Sequence, residues 1–439
     1  MTETAQTRLL KQALSHFKAG KHASALPLLE KVLEIEPNQS DASHILGLIK
    51  FASGELVEAQ ALVTAAIDSR PNTSIYYNNL ALILRAQSAL DEAETAASKA
   101  CRLAPEDPEA RTTYGVILQS QKRYKEAETE YLCAINIRPD HIQAHINLGL
   151  LALESNDFNL ANKIFSNASQ IVPPTTDIIA GYARSLIGLG RAQDAIDYLD
   201  ELEINEEDDN VQLGILRAEA HLRNDKPRKA HDLLKVLQQQ NPENPTILND
   251  LGYTLRDLGL LEDAKLAFLQ ALTLEPNFDD AADNLAQVLL SLGQFSEAWP
   301  LFRRRKAQDP SIDPLVQNRT WRAEDTLHNS SIVTWTEQGP GDEILQASLI
   351  SDLKIIASEL TVICSQRVKG LFENSFPDVK FTSEASLQKH ITGKPGTLRA
   401  PLLDFGRNLR SQLQDFPAKP GYLKVPVEPV KSLRSRYAR

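Results

Sequence analysis

A proline recurs about every 34 residues through the first two thirds of this chain, a period typical of a stacked helix–turn–helix unit. The prolines that keep this spacing are Pro37, Pro71, Pro105, Pro139, Pro173, Pro242, Pro276 and Pro310. Proline ends a helix because it lacks a backbone N–H and disfavours helical geometry in the residue before it. The chain of 439 residues is therefore predicted to be mainly helical, with one unit copied in tandem.

Small and large side chains also hold fixed positions within each repeat. The first helix carries a large residue followed by Gly or Ala, as in Leu46-Gly47, and the second carries alanines seven apart, as in Ala59 and Ala66. Apolar residues at helical spacing predict a buried stripe, and the small residues are expected where two helices cross closely. We count nine copies over residues 1–310, of which the sixth is degenerate because it lacks the terminal proline.

This pattern resembles the tetratricopeptide repeat, which implies a right-handed α-solenoid whose first helices line a concave groove. In sugar-transferring relatives, a ladder of asparagines in this groove grips the backbone of an extended peptide. An amide suits that task because it offers both a donor and an acceptor. The equivalent positions of two repeats hold Ile45 and Thr113, so the ladder is incomplete. Local hydrogen bonding is the alternative role for the residues at the other positions. The corresponding positions here hold Asn79, Asn147, Asp250 and Asn284.

The repeat pattern stops after Pro310, and residues 311–330 are expected to be a linker. Strands and helices then alternate, which predicts a parallel sheet with helices on both faces. The predicted elements, in chain order, are a strand over Ser331–Thr336, a helix over Glu343–Ala357, a strand over Leu360–Cys364, a helix over Val368–Phe376 and a strand over Val379–Thr382.

The turn after the first predicted strand reads Glu337-Gln338-Gly339-Pro340-Gly341-Asp342. With Trp299 in the last repeat and Trp321 before the strand, it resembles a bacterial family that joins tetratricopeptide repeats to a glycosyltransferase domain. That family is related to heptosyltransferases and similar to O-GlcNAc transferase. The resemblance implies that residues 331–425 form one Rossmann-like domain, the N-terminal half of a two-Rossmann (GT-B) enzyme. Trp299 is expected to hold the last repeat against this domain.

The same resemblance implies roles for the turn. Asp342 is a candidate base for the acceptor hydroxyl, and Glu337, Gln338, Gly339 and Gly341 form the acceptor-site turn, with the glycines giving a tight turn and close backbone approach. Capping of the following helix is the alternative role for Asp342. The nucleotide-binding half has no counterpart in the sequence, and residues 426–439 are expected to be a basic tail that starts an interrupted helix. We therefore expect this chain alone to bind no nucleotide-sugar donor and to be inactive in transfer.

Composition narrows the function classes further. The net charge of −11 argues against nucleic-acid binding, and no apolar run is long enough to predict a membrane span. The three cysteines are far apart and the histidines are scattered, so no disulfide framework or metal site is expected. His44, His145 and His221 are predicted to pack within the repeats. These features, and an N-terminus unlike a secretory signal, favour the cytoplasm.

Two function hypotheses follow from the sequence. In the first, the repeats bind a protein or peptide in their groove and present it to a sugar-transfer domain. In the second, the chain is a non-enzymatic scaffold that binds protein partners. Whether the chain belongs to an enzyme stays open at this point.

Overall fold

The computed structural model describes residues 5–171, 174–202, 211–302, 321–322, 325–336, 339–383, 396–417 and 421–424. The chain divides into two compact units, Met1–Lys226 (unit 1) and Pro227–Arg439 (unit 2). The described residues are mainly helical, as predicted. None of the helices in these ranges combines the length and hydropathy needed to cross a membrane.

Unit 1 is built from helices that pack in sequential pairs. Odd-numbered helices are the first helices of the repeats and even-numbered helices are the second. In chain order they are α1 (Ala5–Lys18), α2 (His22–Ile35), α3 (Ser40–Ala52), α4 (Leu56–Ser69), α5 (Ser74–Ala86), α6 (Leu90–Leu103), α7 (Pro108–Ser120), α8 (Tyr124–Ile137), α9 (Ile142–Glu154), α10 (Phe158–Ile171), α11 (Thr176–Gly188), α12 (Ala192–Glu201) and α13 (Val211–Arg223).

Unit 2 continues with repeat helices and then changes to an α/β arrangement. The repeat helices are α14 (Pro227–Gln240), α15 (Pro245–Asp257), α16 (Leu261–Leu274), α17 (Asp279–Ser291) and α18 (Phe295–Phe302). The elements that follow are β1 (Ser331–Trp335), α19 (Pro340–Gln346), α20 (Ile350–Ile356), β2 (Glu359–Ile363), α21 (Gln366–Ser375), β3 (Lys380–Thr382), β4 (Leu398–Pro401) and α22 (Gly406–Leu409), with short 3₁₀ turns at Ala347–Leu349, Leu402–Phe405 and Leu413–Asp415.

Glycines let the two helices of a repeat approach closely, as the sequence predicts. An added Cβ at Gly149 would lie 2.4 Å from a ring carbon of Phe165, and one at Gly115 would lie 2.5 Å from the ring of Tyr131. Real Cβ atoms do not tolerate such distances, so the aromatic ring of the second helix fills the space that the glycine leaves. Phe165 also lies against Gly181, where an added Cβ would be 2.2 Å from its ring. One ring therefore packs against both α9 and α11.

The sheet of unit 2 is wholly parallel, with the strand order β3-β2-β1-β4. Val333 in β1 pairs with Thr361 in β2 on one side and with Arg399 in β4 on the other. The three predicted strands are confirmed, but β4 was not predicted because Arg399 and Pro401 obscure its apolar pattern. The single helix predicted over Glu343–Ala357 is wrong in one respect: a 3₁₀ turn separates α19 from α20.

Trp299 fixes the last repeat helix of unit 2 against the α/β part of the same unit. Its Nε1 donates a hydrogen bond to the backbone oxygen of Arg410, with a donor–acceptor distance of 2.7 Å. An added Cβ at Gly406 would lie 2.9 Å from the indole, so α22 approaches the ring closely. The contact predicted for Trp299 is confirmed. Trp321 instead packs on Phe405, with ring centroids 5.1 Å apart.

Candidate functional site

A cavity of about 570 Å³ opens on the face formed by α5, α7 and α9 of unit 1. Two of the predicted ladder residues, Asn79 and Asn147, both line it. Thr113 occupies the equivalent position on α7, between them in repeat order, and lines the cavity as well. We call this space the amide cavity. Because successive first helices pack side by side, equivalent positions of successive repeats meet on one surface.

In each ladder amide of the amide cavity, one of the two polar atoms is hydrogen-bonded to another side chain of the protein. Asn79 Nδ2 donates to His44 Nε2 at 2.8 Å, and Asn147 Oδ1 accepts from Gln143 Nε2 at 2.9 Å. Within the described ranges, Asn79 Oδ1 and Asn147 Nδ2 make no hydrogen bond to another residue. One acceptor and one donor are thus left for a ligand, and separate peptide units along an extended segment supply the complementary N–H and C=O.

Apolar and charged side chains complete the wall of the amide cavity. Leu82 and Val116 lie one helical turn beyond the ladder positions and are half-buried. Glu109 lies at the N-terminal end of α7, where it forms an ion pair with Arg138 at 2.8 Å. Arg85 lies in the last turn of α5. The cavity is therefore amphipathic, with charge at its ends and amide and apolar groups in its middle.

His44 is the partner that positions the Asn79 amide. It is buried, and its ring packs on Tyr76 with centroids 4.6 Å apart. Burial lowers the pKa of His44 to about 4, against the opposing effect of the nearby Asp41 carboxylate. The imidazole is neutral at pH 7 as a result, which leaves Nε2 free to accept from Asn79.

The other histidines singled out by the sequence are also packed in the repeats. His145 and His221 are buried, as predicted. His145 Nε2 lies 2.8 Å from the backbone oxygen of Pro139. His141, which sequence reasoning did not single out, is buried too; burial lowers its pKa, and its Nε2 lies 2.9 Å from Thr112 Oγ1.

The other two ladder residues, Asp250 and Asn284, lie on α15 and α17 of unit 2. Asn249 links them: its Oδ1 accepts from Asn284 Nδ2 at 3.0 Å, and its Nδ2 donates to Asp250 Oδ1 at 3.1 Å. Asn249 is only 8 % exposed. Sequence reasoning missed it, although an amide directly before Asp250 was the available signal. Asn249 thus hydrogen-bonds both ladder residues of unit 2.

The turn after β1 holds the proposed acceptor-site residues, of which Glu337 and Gln338 lie outside the described residues. Gly339 occupies the N-cap position of α19, and the exposed Asp342 lies in its first turn. The alternative cap role of Asp342 is therefore wrong, although a carboxylate in the first turn is favourable near the positive end of a helix.

The two glycines of this turn border open space. An added Cβ at Gly339 would meet nothing nearer than Asp342 Oδ2 at 3.9 Å, and one at Gly341 would meet nothing within 4 Å. Neither residue has a positive φ. Contacts within the protein therefore do not require glycine at either position, and the close approach of an acceptor to this turn stays a prediction.

Glu343 is a buried carboxylate that sequence reasoning missed. Its Oε2 accepts from Thr336 Oγ1 at 2.6 Å and from the backbone N of Ser365 at 3.0 Å. It thereby joins the carboxyl ends of β1 and β2. An acidic residue within the apolar stripe of a predicted helix was the signal that could have identified it.

Comparison with known proteins supports the repeat assignment. Three sequence profiles described as tetratricopeptide repeat match residues 16–83 and 152–220, residues 215–277 and 249–311, and residues 108–141. Together they cover more than half of the chain and end at residue 311, before the parallel sheet.

Individual relatives resemble parts of the chain. Protein FlbA of Caulobacter vibrioides is 25 % identical over 201 residues, which are 36 % of this chain and 34 % of FlbA, so the match spans about a third of that relative. Two solved structures are similar at low identity. The APC/C hetero-tetramer Cut9–Hcn1 gives 16 % identity and a TM-score of 0.46, covering 65 % of this chain and 56 % of that one. A tetratricopeptide repeat protein from Parabacteroides merdae gives 18 % and 0.45, covering 57 % and 98 %. The chain belongs to the tetratricopeptide-repeat proteins.

Proposed function

We propose that this protein binds an extended segment of a partner protein in the amide cavity. The observation that carries the proposal is that Asn79 and Asn147, selected from the repeat pattern alone, line the same cavity from the first helices α5 and α9, on either side of α7. Stacked repeats characteristically use such surfaces to bind polypeptides.

The chemistry of the wall fits a peptide backbone. Asn79 Oδ1 and Asn147 Nδ2 supply an acceptor and a donor, and their other amide atoms are held by His44 and Gln143. Amides that are already oriented lose little further freedom on binding. Leu82 and Val116 add apolar surface beside them, which suits the side chains that a bound segment carries.

The test compares paired amide variants with a matched control. A binding peptide is first selected from a displayed library against the full chain, and its affinity is measured by calorimetry. Asn79→Ala with Asn147→Ala should weaken binding about tenfold or more, since each hydrogen bond contributes about 0.5–1.5 kcal/mol. The control is Asn136→Ala, which removes an exposed amide from α8. Equal affinity for the wild type and the double variant would refute the proposal.

A second candidate function is sugar transfer assisted by unit 2. Two observations favour it: the strand order β3-β2-β1-β4 is that of half of a doubly wound nucleotide-binding fold, and the exposed Asp342 follows β1 at the carboxyl edge of the sheet. Asp342 is then the base for the acceptor hydroxyl. Incubation of the protein with UDP- and ADP-sugars and the selected peptide, with Asp342→Asn as control, tests it. Transfer lost in the variant supports this function, and no transfer by the wild type removes it for this chain.

A further inference from the structure

A row of apolar side chains runs beside the ladder positions in unit 1. Its members stand one repeat apart, three residues after each ladder position, on α3, α5, α7 and α9. We call them the apolar row: Leu48, Leu82, Val116 and Leu150. Leu48, Leu82 and Val116 are half-buried and Leu150 is 39 % exposed. Residues three apart lie on the same face of a helix, so the apolar row and the ladder form two parallel tracks.

The spacing of the apolar row is set by the packing of the first helices. Each of α3, α5, α7 and α9 contacts the next in this series, and packed helices lie about 8–10 Å apart. A ligand that runs along the row must therefore present an apolar side chain about every 8–10 Å.

Backbone conformations differ in how well they meet this spacing. In a polyproline II segment, side chains return to the same face every third residue, after about 9 Å at about 3.1 Å per residue. In a β-strand they return every second residue, after about 7 Å. The helix spacing thus matches polyproline II and leaves a β-strand out of step by the second helix.

The neighbouring positions on the other side of the ladder show no such regularity. Four residues before each ladder position stand Asp41, Ile75, Glu109 and Gln143, which share neither charge nor polarity. Asp41 and Glu109 are moreover held in ion pairs by Arg70 and Arg138. Selection along the ligand therefore rests on the apolar row.

We infer that the amide cavity selects a polyproline II segment with an apolar residue at every third position. Successive apolar side chains contact Leu82, Val116 and Leu150, while Asn79 and Asn147 hold the peptide backbone between them. This inference rests on the proposed function and specifies which segments that function accepts.

The test uses synthetic peptides of equal composition whose only variable is leucine spacing. Three fluorescein-labelled peptides, with leucines at every second, third or fourth position in a Ser/Ala background, are titrated with the full chain and followed by anisotropy. The third-position peptide should bind about tenfold tighter, because burial of one leucine contributes about that factor. Proline between its leucines should tighten binding further, since it favours polyproline II.

Two other outcomes of the peptide titrations separate a failure of this inference from a failure of the proposed function. Tighter binding of the second-position peptide, or equal binding of all three, would overturn the inference, and the Asn79→Ala/Asn147→Ala effect would still decide the proposed function. If no spacing binds and the displayed library yields no binder, both fail.

Matched variants test whether the apolar row selects the leucine spacing of the peptide. Leu82→Ser with Val116→Ser should abolish the preference for third-position leucines. The control is Leu132→Ser with Val57→Ser, which removes the same side chains from exposed positions on α8 and α4. A preference that survives the first pair would overturn the assignment of the row. The wild-type peptide series remains decisive even if a variant does not fold.

Discussion

The ladder positions of unit 1 and unit 2 have the same sequence signature and different surroundings. In unit 1, Asn79 and Asn147 stand two first helices apart, with Thr113 between them, and each keeps one polar atom for a ligand. In unit 2, Asp250 and Asn284 stand on successive first helices, and Asn249 joins them by two hydrogen bonds. Asn79 and Asn284 thus use the same atom, Nδ2, in a hydrogen bond to the preceding repeat, and the units differ in that the partner of Asn284 also bonds the ladder residue Asp250.

The largest difference expected between the units concerns the phenylalanine rings of second helices that pack against glycines of first helices. Phe165 packs against Gly149 and Gly181, whereas Phe268 packs against Gly252. Truncation of a buried phenylalanine costs about 3–5 kcal/mol, and Phe165→Ala should lie at the upper end because the two glycines beside its ring have no side chain that could fill the cavity. Urea unfolding followed by circular dichroism measures the cost. A smaller loss for Phe165→Ala than for Phe268→Ala would contradict this expectation.

The second difference is that unit 1 holds the buried His44, whose titration makes the free energy of unfolding depend on pH. The pKa of His44 in the folded protein is about 4, below the ordinary value of about 6.5, so the unfolded chain takes up the proton first as the pH falls. Its contribution to stability is complete above about pH 6.5 and is lost between there and pH 4. From pH 7 to pH 5 the loss should reach about 2 kcal/mol.

The control for this prediction is His44→Gln, which does not titrate and can still accept from Asn79. Urea unfolding at pH 7 and pH 5 should show a smaller loss for this variant than for the wild type. An equal loss in both would assign the pH dependence to other groups, such as His141, whose pKa is also lowered.

The third difference separates stability from binding. Asn249→Ala removes two hydrogen bonds at a buried position, which should cost about 1–3 kcal/mol. Asn147→Ala removes a half-buried amide and should cost less than about 0.5 kcal/mol, while it weakens peptide binding. All three tryptophans, Trp299, Trp321 and Trp335, belong to unit 2. Their fluorescence therefore reports the unfolding of the Asn249→Ala variant. If Asn147→Ala lost as much stability as Asn249→Ala, the expected difference between the two positions would be contradicted.

The smallest effect concerns the turns beside the amide cavity. Ser88, Lys122 and Asn156 have positive φ angles, where the corresponding turns of unit 2 carry Gly259 and Gly293. A left-handed conformation costs a residue with a side chain about 1 kcal/mol. Ser88→Gly should therefore stabilise unit 1 by up to about 1 kcal/mol in thermal unfolding, and a lower midpoint would contradict this.

The repeat pattern allowed much of the helical architecture to be predicted. Proline spacing predicts helix ends, and the Gly149–Phe165 contact follows from small and large residues at fixed positions. Strand β4 was missed because Arg399 is buried there against the usual preference of arginine for solvent. Such burial depends on neighbours from other elements, which local sequence does not reveal.

The candidate site was predictable only in part. The repeat register identifies Asn79 and Asn147, but the hydrogen bonds from Asn249 to Asp250 and Asn284 depend on the orientation of the Asn249 side chain. The same holds at the turn after β1, where the cap proved to be Gly339 rather than Asp342. Positions follow from the register, whereas hydrogen-bond partners follow from three-dimensional packing.

Photo-crosslinking with mass spectrometry shows directly where a bound peptide lies on the protein. The library-selected peptide, carrying a benzophenone side chain at successive positions, is irradiated with the full chain, and the crosslinked residues are mapped. Binding in the amide cavity predicts crosslinks on α5, α7 and α9, including positions next to Asn79, Thr113 and Asn147. Crosslinks confined to α15 and α17, or to the second helices α4, α6 and α8, would contradict it.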